Sequence, residues 1–285
     1  MNKITASLLT TIALLPTFGH AAEVQSYLVT KGQQLQQTNA SASTLATTDT
    51  PYHFFSSVDG STSNSILGVS LKLPNATSKT FTNEDGGFMF QQAFTNKTLL
   101  DGAYGVGTYA FIIQTLLEGT NRPSLKLPAD AYPTAPHIAN WQDAQTIEAK
   151  LPFTLYWDPF AGGTTNDFVQ LNVQTTNGGD VVSSPGLNQP NAINGTNGSA
   201  LIPAEALAEN QTYNAHLLFV KRTSIDTTNL PGAVGTAGYY RETVFPLTTL
   251  PAAGAGGRVQ FSASTFADSE ATSNSVVVTV TRTGS

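Results

Sequence analysis

The acidic side chains are the residues through which this chain could carry out acid–base chemistry. Hydrolysis of a glycosidic bond needs two carboxyl groups that face each other across a cleft. The available carboxyl groups lie in predicted turns or at the ends of predicted strands, and belong to Glu84, Asp85, Asp158, Asp167, Asp180 and Glu205. Because turns favour aspartate for backbone reasons alone, these positions indicate turns rather than a catalytic pair.

Nucleophilic catalysis and metal binding find little support in the other reactive residues. The chain has no cysteine, and it lacks the Gly-x-Ser-x-Gly motif that exposes a nucleophilic serine at a sharp turn. His53 and His216 lie within predicted strands, and His137 follows Pro136. No two of these histidines have the spacing of metal ligands. The sequence therefore favours structural or surface roles for them.

Aromatic residues suggest a different kind of site, a face on which sugar rings would stack. The candidates for such a face are Tyr132, Trp141, Tyr156, Phe160, Tyr239 and Tyr240. Aromatic side chains in strands more often belong to the core, and we assign Trp157, at the end of an alternating strand, to the core. Trp141 lies in the less regular segment 140–145, so it is the candidate ligand platform, with a core position as the alternative.

Residues 1–21 have the features of a secretory signal peptide. Lys3 supplies the positive charge, and residues 4–15 form an apolar run that is too short to span a bilayer. We place cleavage after Ala21, with Ala22 as the second choice. The rest of the chain has no apolar run long enough for a membrane span, so the sequence predicts a secreted or cell-surface protein. The net charge of −6, with basic residues scattered singly, argues against nucleic acid as a partner.

The composition is typical of exposed β-structure, with only 11% charged residues and many threonine, serine and asparagine residues. A strand is predicted at 24–29 and a loop at 33–48. Short strand patterns with turn residues between them fill 51–127, where no strong helical period is present, and they return after a proline-rich segment at 128–136. The sequence therefore predicts an all-β chain with two antiparallel β-sandwiches, the first over 22–135 and the second over 136–250.

Two features of the second region carry a resemblance. A strand ends at Trp157, and Leu207 lies six residues before Tyr213. This pattern resembles fibronectin type III and immunoglobulin-like modules, in which such a leucine and tyrosine form a tyrosine corner, with the hydroxyl bonded to the backbone of the turn. Asn210 and Gln211 depart from the glycine and threonine common there. The resemblance implies the fold and says almost nothing about a ligand.

The C-terminal residues 251–285 consist of a flexible linker, 251–257, followed by a second resemblance. The matching residues are Val259, Phe261, Glu270, Val278, Val280, Arg282 and Gly284. They resemble the opening of a Calx-beta domain, in which a V-x-F strand, an acidic turn and a strand ending in V-x-R-x-G follow one another. We therefore predict an incomplete Calx-beta hairpin.

The Calx-beta resemblance implies calcium. In that family the early glutamate is a calcium ligand, which here is Glu270, with Asp268 as a weaker companion. Calcium takes about six to eight oxygen ligands, and the others would lie in later loops of a completed domain. The resemblance thus predicts part of a Ca²⁺ site, with a solvated turn carboxylate as the alternative, and no other cofactor is expected.

Together these features predict a secreted, non-enzymatic, modular surface protein with a role in adhesion, matrix attachment or spacing. Its partners would be other extracellular proteins or glycans. The alternative is an accessory carbohydrate-binding region of a secreted polysaccharide-degrading system, which loss of polysaccharide retention in Trp141→Ala would favour. A third hypothesis, a secreted hydrolase with an unrecognised site, requires a deep cleft that holds close carboxylates.

Overall fold

The computed structural model describes residues 22–84, 87–252, 258–261 and 280–283. The predicted signal peptide lies outside these residues, and so do Asp268 and Glu270, so the predictions made for them stay predictions.

The chain up to the proline-rich segment consists almost entirely of strands. In chain order its elements are β1 (Val24–Gln36), β2 (Thr44–Leu45), β3 (Tyr52–Gly60), β4 (Ile66–Lys72), β5 (Ser78–Thr80), β6 (Thr82–Glu84), β7 (Gly87–Phe94), α1 (Lys97–Ala103), β8 (Gly107–Thr115), β9 (Thr120–Asn121) and β10 (Ser124–Leu127). In β8, Tyr109, Phe111 and Ile113 are fully buried and the residues between them are half-buried, as a strand with one core face requires. The short helix α1 is not predicted by the sequence. It begins after Asn96, whose Oδ1 accepts the N–H of Leu99 at 3.0 Å.

The second part of the chain begins with irregular structure and continues with longer strands. Its elements are a 3₁₀ turn (Asp143–Gln145), β11 (Phe153–Tyr156), β12 (Phe168–Thr175), β13 (Asp180–Ser183), β14 (Ile193–Asn194), β15 (Ser199–Ile202), β16 (Thr212–Asp226), β17 (Val234–Thr248), β18 (Arg258–Phe261) and β19 (Val280–Thr283). Strands β18 and β19 pair antiparallel, as the predicted hairpin requires. Membership of the Calx-beta family stays a prediction.

A ten-stranded sheet is the largest element of the fold. Its strand order is β13-β12-β16-β17-β1-β3-β7-β6, with β14 added beside β12 and β2 beside β1. A five-stranded sheet (β10-β8-β4-β5, with β9) and a two-stranded sheet (β11-β15) complete the two sandwiches. Almost all neighbouring strands are antiparallel, and the predicted all-β fold is confirmed.

Two hydrophobic cores lie between these sheets. The first core includes Tyr27, Phe54 and Phe111 and is formed where β1, β3 and β7 face β4, β8 and β10. The second core includes Trp157 and Leu217 and is formed where β12, β16 and β17 face β11 and β15. The first core also takes Leu230, Ala233, Ala237 and Tyr239 from the range predicted for the second sandwich.

The large sheet passes from one core to the other without a break. In β17, Ala237 and Tyr239 pack in the first core, and Phe245 and Leu247 pack in the second. Strands β16 and β17 are each 15 residues long, about 50 Å at the usual rise of a strand. A shared sheet of this kind was not expected from the sequence. The domain boundary at 136 remains a prediction, and β17 supplies residues to both cores.

Strand β1 extends further than the predicted strand at 24–29 and into the predicted loop at 33–48. Its last residues lack apolar periodicity because their polar side chains bond to neighbouring strands. Gln33 Oε1 accepts a hydrogen bond from Arg241 Nε at 2.9 Å, and Gln34 Nε2 donates to Glu242 Oε2 at 3.0 Å. Side-chain hydrogen bonds across the sheet therefore hold a strand that hydrophobic alternation does not reveal.

Candidate functional site

The tyrosine corner has the predicted geometry. Tyr213 Oη accepts the backbone N–H of Ala208 at 2.7 Å, and both Leu207 and Tyr213 are buried. Trp157 is also buried, and its Nε1 donates to the carbonyl oxygen of Asn197 at 3.0 Å. The contact of Tyr213 fixes the turn that leads into β16, and through it the long hairpin that joins the two cores.

The parallel pairing of β1 with β17 is the most unusual feature of the large sheet. The register runs from Ser26 opposite Val234 to Gln36 opposite Val244. Each strand has a second, antiparallel neighbour, β3 beside β1 and β16 beside β17, so neither is an edge strand. The first long strand of the double sandwich is thus bonded along most of its length to the last one.

The proline-rich segment 128–136 lies against β17 between the two cores. Tyr239 Oη donates to the carbonyl oxygen of Pro128, and Thr243 Oγ1 donates to that of Pro136, each at 2.7 Å. Pro133 and Pro136 are buried. These hydrogen bonds fix the segment to the shared sheet.

A cluster of opposite charges lies beside this segment. Lys31 Nζ, on a side chain that is only 1% exposed, contacts the carboxylate of Asp101, which is 34% exposed. Lys97 contacts both Asp101 and Asp130. Burial raises the pKa of Asp101, but the hydrogen bonds from Lys31 and Lys97 outweigh it and hold that pKa below its ordinary value. The hydrogen bonds to Asp101 and Asp130 raise the pKa of Lys97 to about 12. An open cavity of about 560 Å³ adjoins the cluster, so water can reach Asp101.

The other face of the large sheet is covered by neither core and holds a half-open pocket of about 300 Å³. We call it the outer-face pocket. Its walls come from β1, β3, β12, β16, β17 and the loop 184–192, and its lining residues are Leu28, Thr30, Phe55, Phe168, Gln170, Leu187, Leu218, Val220, Tyr240 and Glu242. Most of the lining residues are apolar, and Thr30, Gln170, Tyr240 and Glu242 add polar groups.

Glu242, one of the lining residues, is fixed by hydrogen bonds. His216 Nδ1 lies 2.9 Å from Oε1, and Gln34 Nε2 donates to Oε2. Burial raises the pKa of Glu242, but the hydrogen bond and charge of His216, the hydrogen bond of Gln34 and the charge of His53 hold it below its ordinary value. Burial lowers the pKa of His53, an effect that the charge of Glu242 partly offsets. His53 Nε2 is buried without a hydrogen-bond partner among the described residues.

The sequence did not reveal that His53, His216 and Glu242 share a face. The sequence does contain a signal for the face of His216. This residue lies between the core residues Ala215 and Leu217, and because a strand places alternate residues on opposite faces, His216 belongs to the outer face. The same alternation assigns His53, next to the buried Phe54, to the outer face. The order of the strands in the sheet, which brings the two histidines near one carboxylate, cannot be read from this alternation.

Three of the sequence-predicted carboxylates, Asp158, Asp167 and Asp180, each have a different partner. Asp167 is buried and accepts from Lys221 Nζ, at 2.8 Å, and from the backbone N–H of Arg222, at 3.0 Å. Asp158 pairs with His137 at 2.9 Å, and Asp180 accepts from Gln174. These contacts fix loops and strand ends. Glu205 is exposed in a turn with a positive φ, and Asp85 lies outside the described residues.

Trp141, the predicted ligand platform, packs in the second core and is 6% exposed. This burial favours the core alternative, and its role as a platform stays a prediction. Of the other aromatic candidates, Phe160 and Tyr239 are buried, whereas Tyr156 is 52% exposed. Tyr240 is half-buried and lines the outer-face pocket. The structure therefore does not gather these rings on one face.

Within the described part of the chain, no cluster of three or more histidine, aspartate or glutamate side chains could hold a metal ion. The predicted calcium ligands lie outside that part. No described helix is long and apolar enough to span a membrane.

No protein-family model and no curated protein matches the chain. Solved structures with some likeness include Tp47, the 47-kilodalton lipoprotein of Treponema pallidum, at 9% identity and a TM-score of 0.28. A second is a tetra-tandem repeat from the extending region of a large adhesion protein, at 12% identity and a TM-score of 0.22. A third comprises the FN1–FN3 domains of chicken CNTN1, at 10% identity and a TM-score of 0.22. The match to Tp47 covers 75% of this chain and 50% of Tp47. The match to the adhesion repeat covers 90% of this chain and 63% of the repeat, and the match to CNTN1 covers 81% of this chain and 70% of the CNTN1 chain. The chain thus spans half the length of Tp47, and likenesses this distant carry no argument about function.

Proposed function

We propose that this chain is a non-enzymatic module that transmits tension in a secreted or cell-surface protein, as a spacer or as part of an adhesion stalk. The observation that carries the proposal is the parallel register of β1 with β17, from Ser26 opposite Val234 to Gln36 opposite Val244.

The direction of the two strands determines how they respond to force. Tension on the segments that flank Val24 and Thr248 pulls β1 and β17 in opposite directions along their common axis, because the strands are parallel. Hydrogen bonds between parallel strands are evenly spaced, so this pull strains the whole ladder at once. A pull applied to both strands at the same end would break the bonds one after another.

The surroundings of the two strands support this role. Strand β1 cannot slide along β17 without also breaking its pairing with β3, and β17 is held on its other side by β16. The hydrogen bonds from Tyr239 and Thr243 to the segment 128–136 hold the polypeptide between the cores against the same sheet. Tension would therefore pass through one continuous sheet rather than through a flexible joint.

Single-molecule force spectroscopy on the full chain tests this proposal. Because the chain has no cysteine, introduced cysteines are unique points of attachment. Gln25→Cys with Ala252→Cys applies force along the ladder, and Gln25→Cys with Thr227→Cys applies it at the end where the β16–β17 hairpin turns. All three positions are exposed. We expect a several-fold higher unfolding force for the first pair, and an equal or lower force would refute the mechanical role.

The alternative function, an accessory carbohydrate-binding region, stays a prediction. Retention of the full chain on an insoluble polysaccharide would test it. Because Trp141 is a core residue, Trp141→Ala would also disturb the fold, and Tyr156→Ala, at an exposed ring, is the better variant for that experiment.

A further inference from the structure

We propose that the outer-face pocket binds a small organic amine, whose apolar body of about one ring lies among the aromatic walls and whose protonated nitrogen bonds to Glu242. This inference is independent of the mechanical role, because it concerns the face of the sheet that neither core covers.

The size of the pocket limits the class of ligand. Pockets for drug-sized molecules usually enclose about 300–1,000 Å³, and this one, at about 300 Å³, lies at the lower end. Rings from three different strands form its walls, namely Phe55 of β3, Phe168 of β12 and Tyr240 of β17. Leu187, in the loop 184–192, adds an apolar contact from outside the sheet. A compact apolar group is the expected occupant of such walls.

The charge in the pocket selects a cation. Among the described residues that line it, Glu242 alone carries a charge. Its side chain is 23% exposed, and each of its oxygens accepts one hydrogen bond, from His216 or from Gln34. A carboxylate oxygen has room for a second donor, so an ammonium group can bind without displacing either partner. The low pKa of Glu242 keeps it ionised at neutral pH.

The position of the carboxylate is fixed before a ligand arrives. Gln34 lies on β1 and His216 lies on β16, so Glu242 is held from both neighbouring strands of β17. A binding group that is already oriented loses little conformational freedom when a ligand binds. This arrangement distinguishes Glu242 from an exposed surface carboxylate.

Three probes of similar shape and different charge test the proposal: 2-phenylethylamine, 2-phenylethanol and phenylacetate. Ligand-observed NMR titrations use the full chain at neutral pH, where the amine is protonated. We expect the amine to bind about tenfold more tightly than the alcohol, as one charge-assisted hydrogen bond implies, and phenylacetate to bind more weakly than the alcohol. Equal affinity for amine and alcohol, or binding of none of the probes, would overturn the proposal.

Variants assign the binding to this pocket. Glu242→Gln should weaken the amine about tenfold and leave the alcohol unchanged, because the amide keeps the size of the side chain and removes its charge. Leu187→Ala, outside the sheet, should weaken both. Tyr156→Ala, an exposed ring that is not part of the lining, is the matched control and should change neither. If Glu242→Gln fails to fold, Leu187→Ala still tests the proposal. Unchanged binding of the amine in that variant would show that the amine binds outside this pocket.

Discussion

The ring of Tyr240 lies directly on Gly32, its neighbour across the parallel pair of β1 and β17. A Cβ added at position 32 would be 1.9 Å from Cζ of that ring. We therefore expect Gly32→Ala to force the ring out of its position and to lower the free energy of unfolding by about 1–3 kcal/mol, the usual cost of overpacking. Urea denaturation of the full chain measures this change.

A double-mutant cycle separates the contact with the ring from strain in the backbone at position 32. In the Tyr240→Ala background the ring is absent, so Gly32→Ala should become nearly neutral. An equal loss of stability in both backgrounds would show that the steric conflict does not involve Tyr240, and that the backbone of β1 itself requires glycine.

The buried ion pair between Lys31 and Asp101 predicts two unequal variants. Lys31→Met replaces a side chain that is 1% exposed by an apolar one of similar length, and it leaves Asp101 in contact with Lys97. We expect a change within about 1 kcal/mol, since apolar replacements of buried charges are often neutral or stabilising. Asp101→Ala instead leaves the ammonium of Lys31 buried without its partner, which should destabilise the fold by about 3 kcal/mol.

Thermal and urea denaturation of the two variants provide the measurement. Similar losses in both would mean that leaving the ammonium of Lys31 buried without Asp101 carries no extra cost. Lys97→Met is the matched control, because that lysine is 41% exposed, and a surface ion pair contributes at most about 1 kcal/mol.

The parts of this fold that could be predicted depend on short stretches of sequence. Leu207 and Tyr213 are six residues apart, so the corner that they form is visible in the sequence and has the expected hydrogen bond. Strand patterns such as that of β8 are local in the same way. Core formation in the two halves follows from these patterns, because an alternating strand must bury its apolar face.

The pairing of β1 with β17 could not be predicted, because it joins residues that are far apart in the chain and have no local signature. Gln33 and Gln34 even suggested a loop, since their hydrogen-bond partners, Arg241 and Glu242, lie on β17. The outer-face pocket depends on the same long-range pairing. Alternation indicates which residues share a face of their own strand, but the order of strands determines which faces become neighbours.

The tyrosine corner predicts a small and specific loss of stability. Tyr213→Phe keeps the buried ring and removes the oxygen that accepts the N–H of Ala208, so we expect the free energy of unfolding to fall by about 1 kcal/mol. Tyr156→Phe is the control, because its ring is 52% exposed and its change should be close to zero. Equal values for the two variants would mean that the corner contributes no net stability. Urea denaturation of both variants gives the comparison.

Acidification should weaken the fold in two stages. Burial lowers the pKa of His53 from its ordinary value of 6.5, so the unfolded chain binds a proton at a higher pH than the folded chain does. The stability that His53 contributes is therefore present above pH 6.5 and is lost as the pH falls through its lower folded value. Asp101, Asp167 and Glu242 also have pKa values below their ordinary ones, and their contribution is lost at lower pH, below the ordinary carboxyl values of 3.8 and 4.5.

Urea denaturation at a series of pH values, in the wild-type chain and in two variants, separates these stages. His53→Gln should remove the stage that begins near pH 6.5 and keep the lower one. Glu242→Gln should enlarge the His53 stage, because the charge of Glu242 raises the pKa of His53, and without that charge the folded value moves further from 6.5. An unchanged upper stage in Glu242→Gln would mean that the two side chains do not interact across the outer face, even though their strands are neighbours of β1.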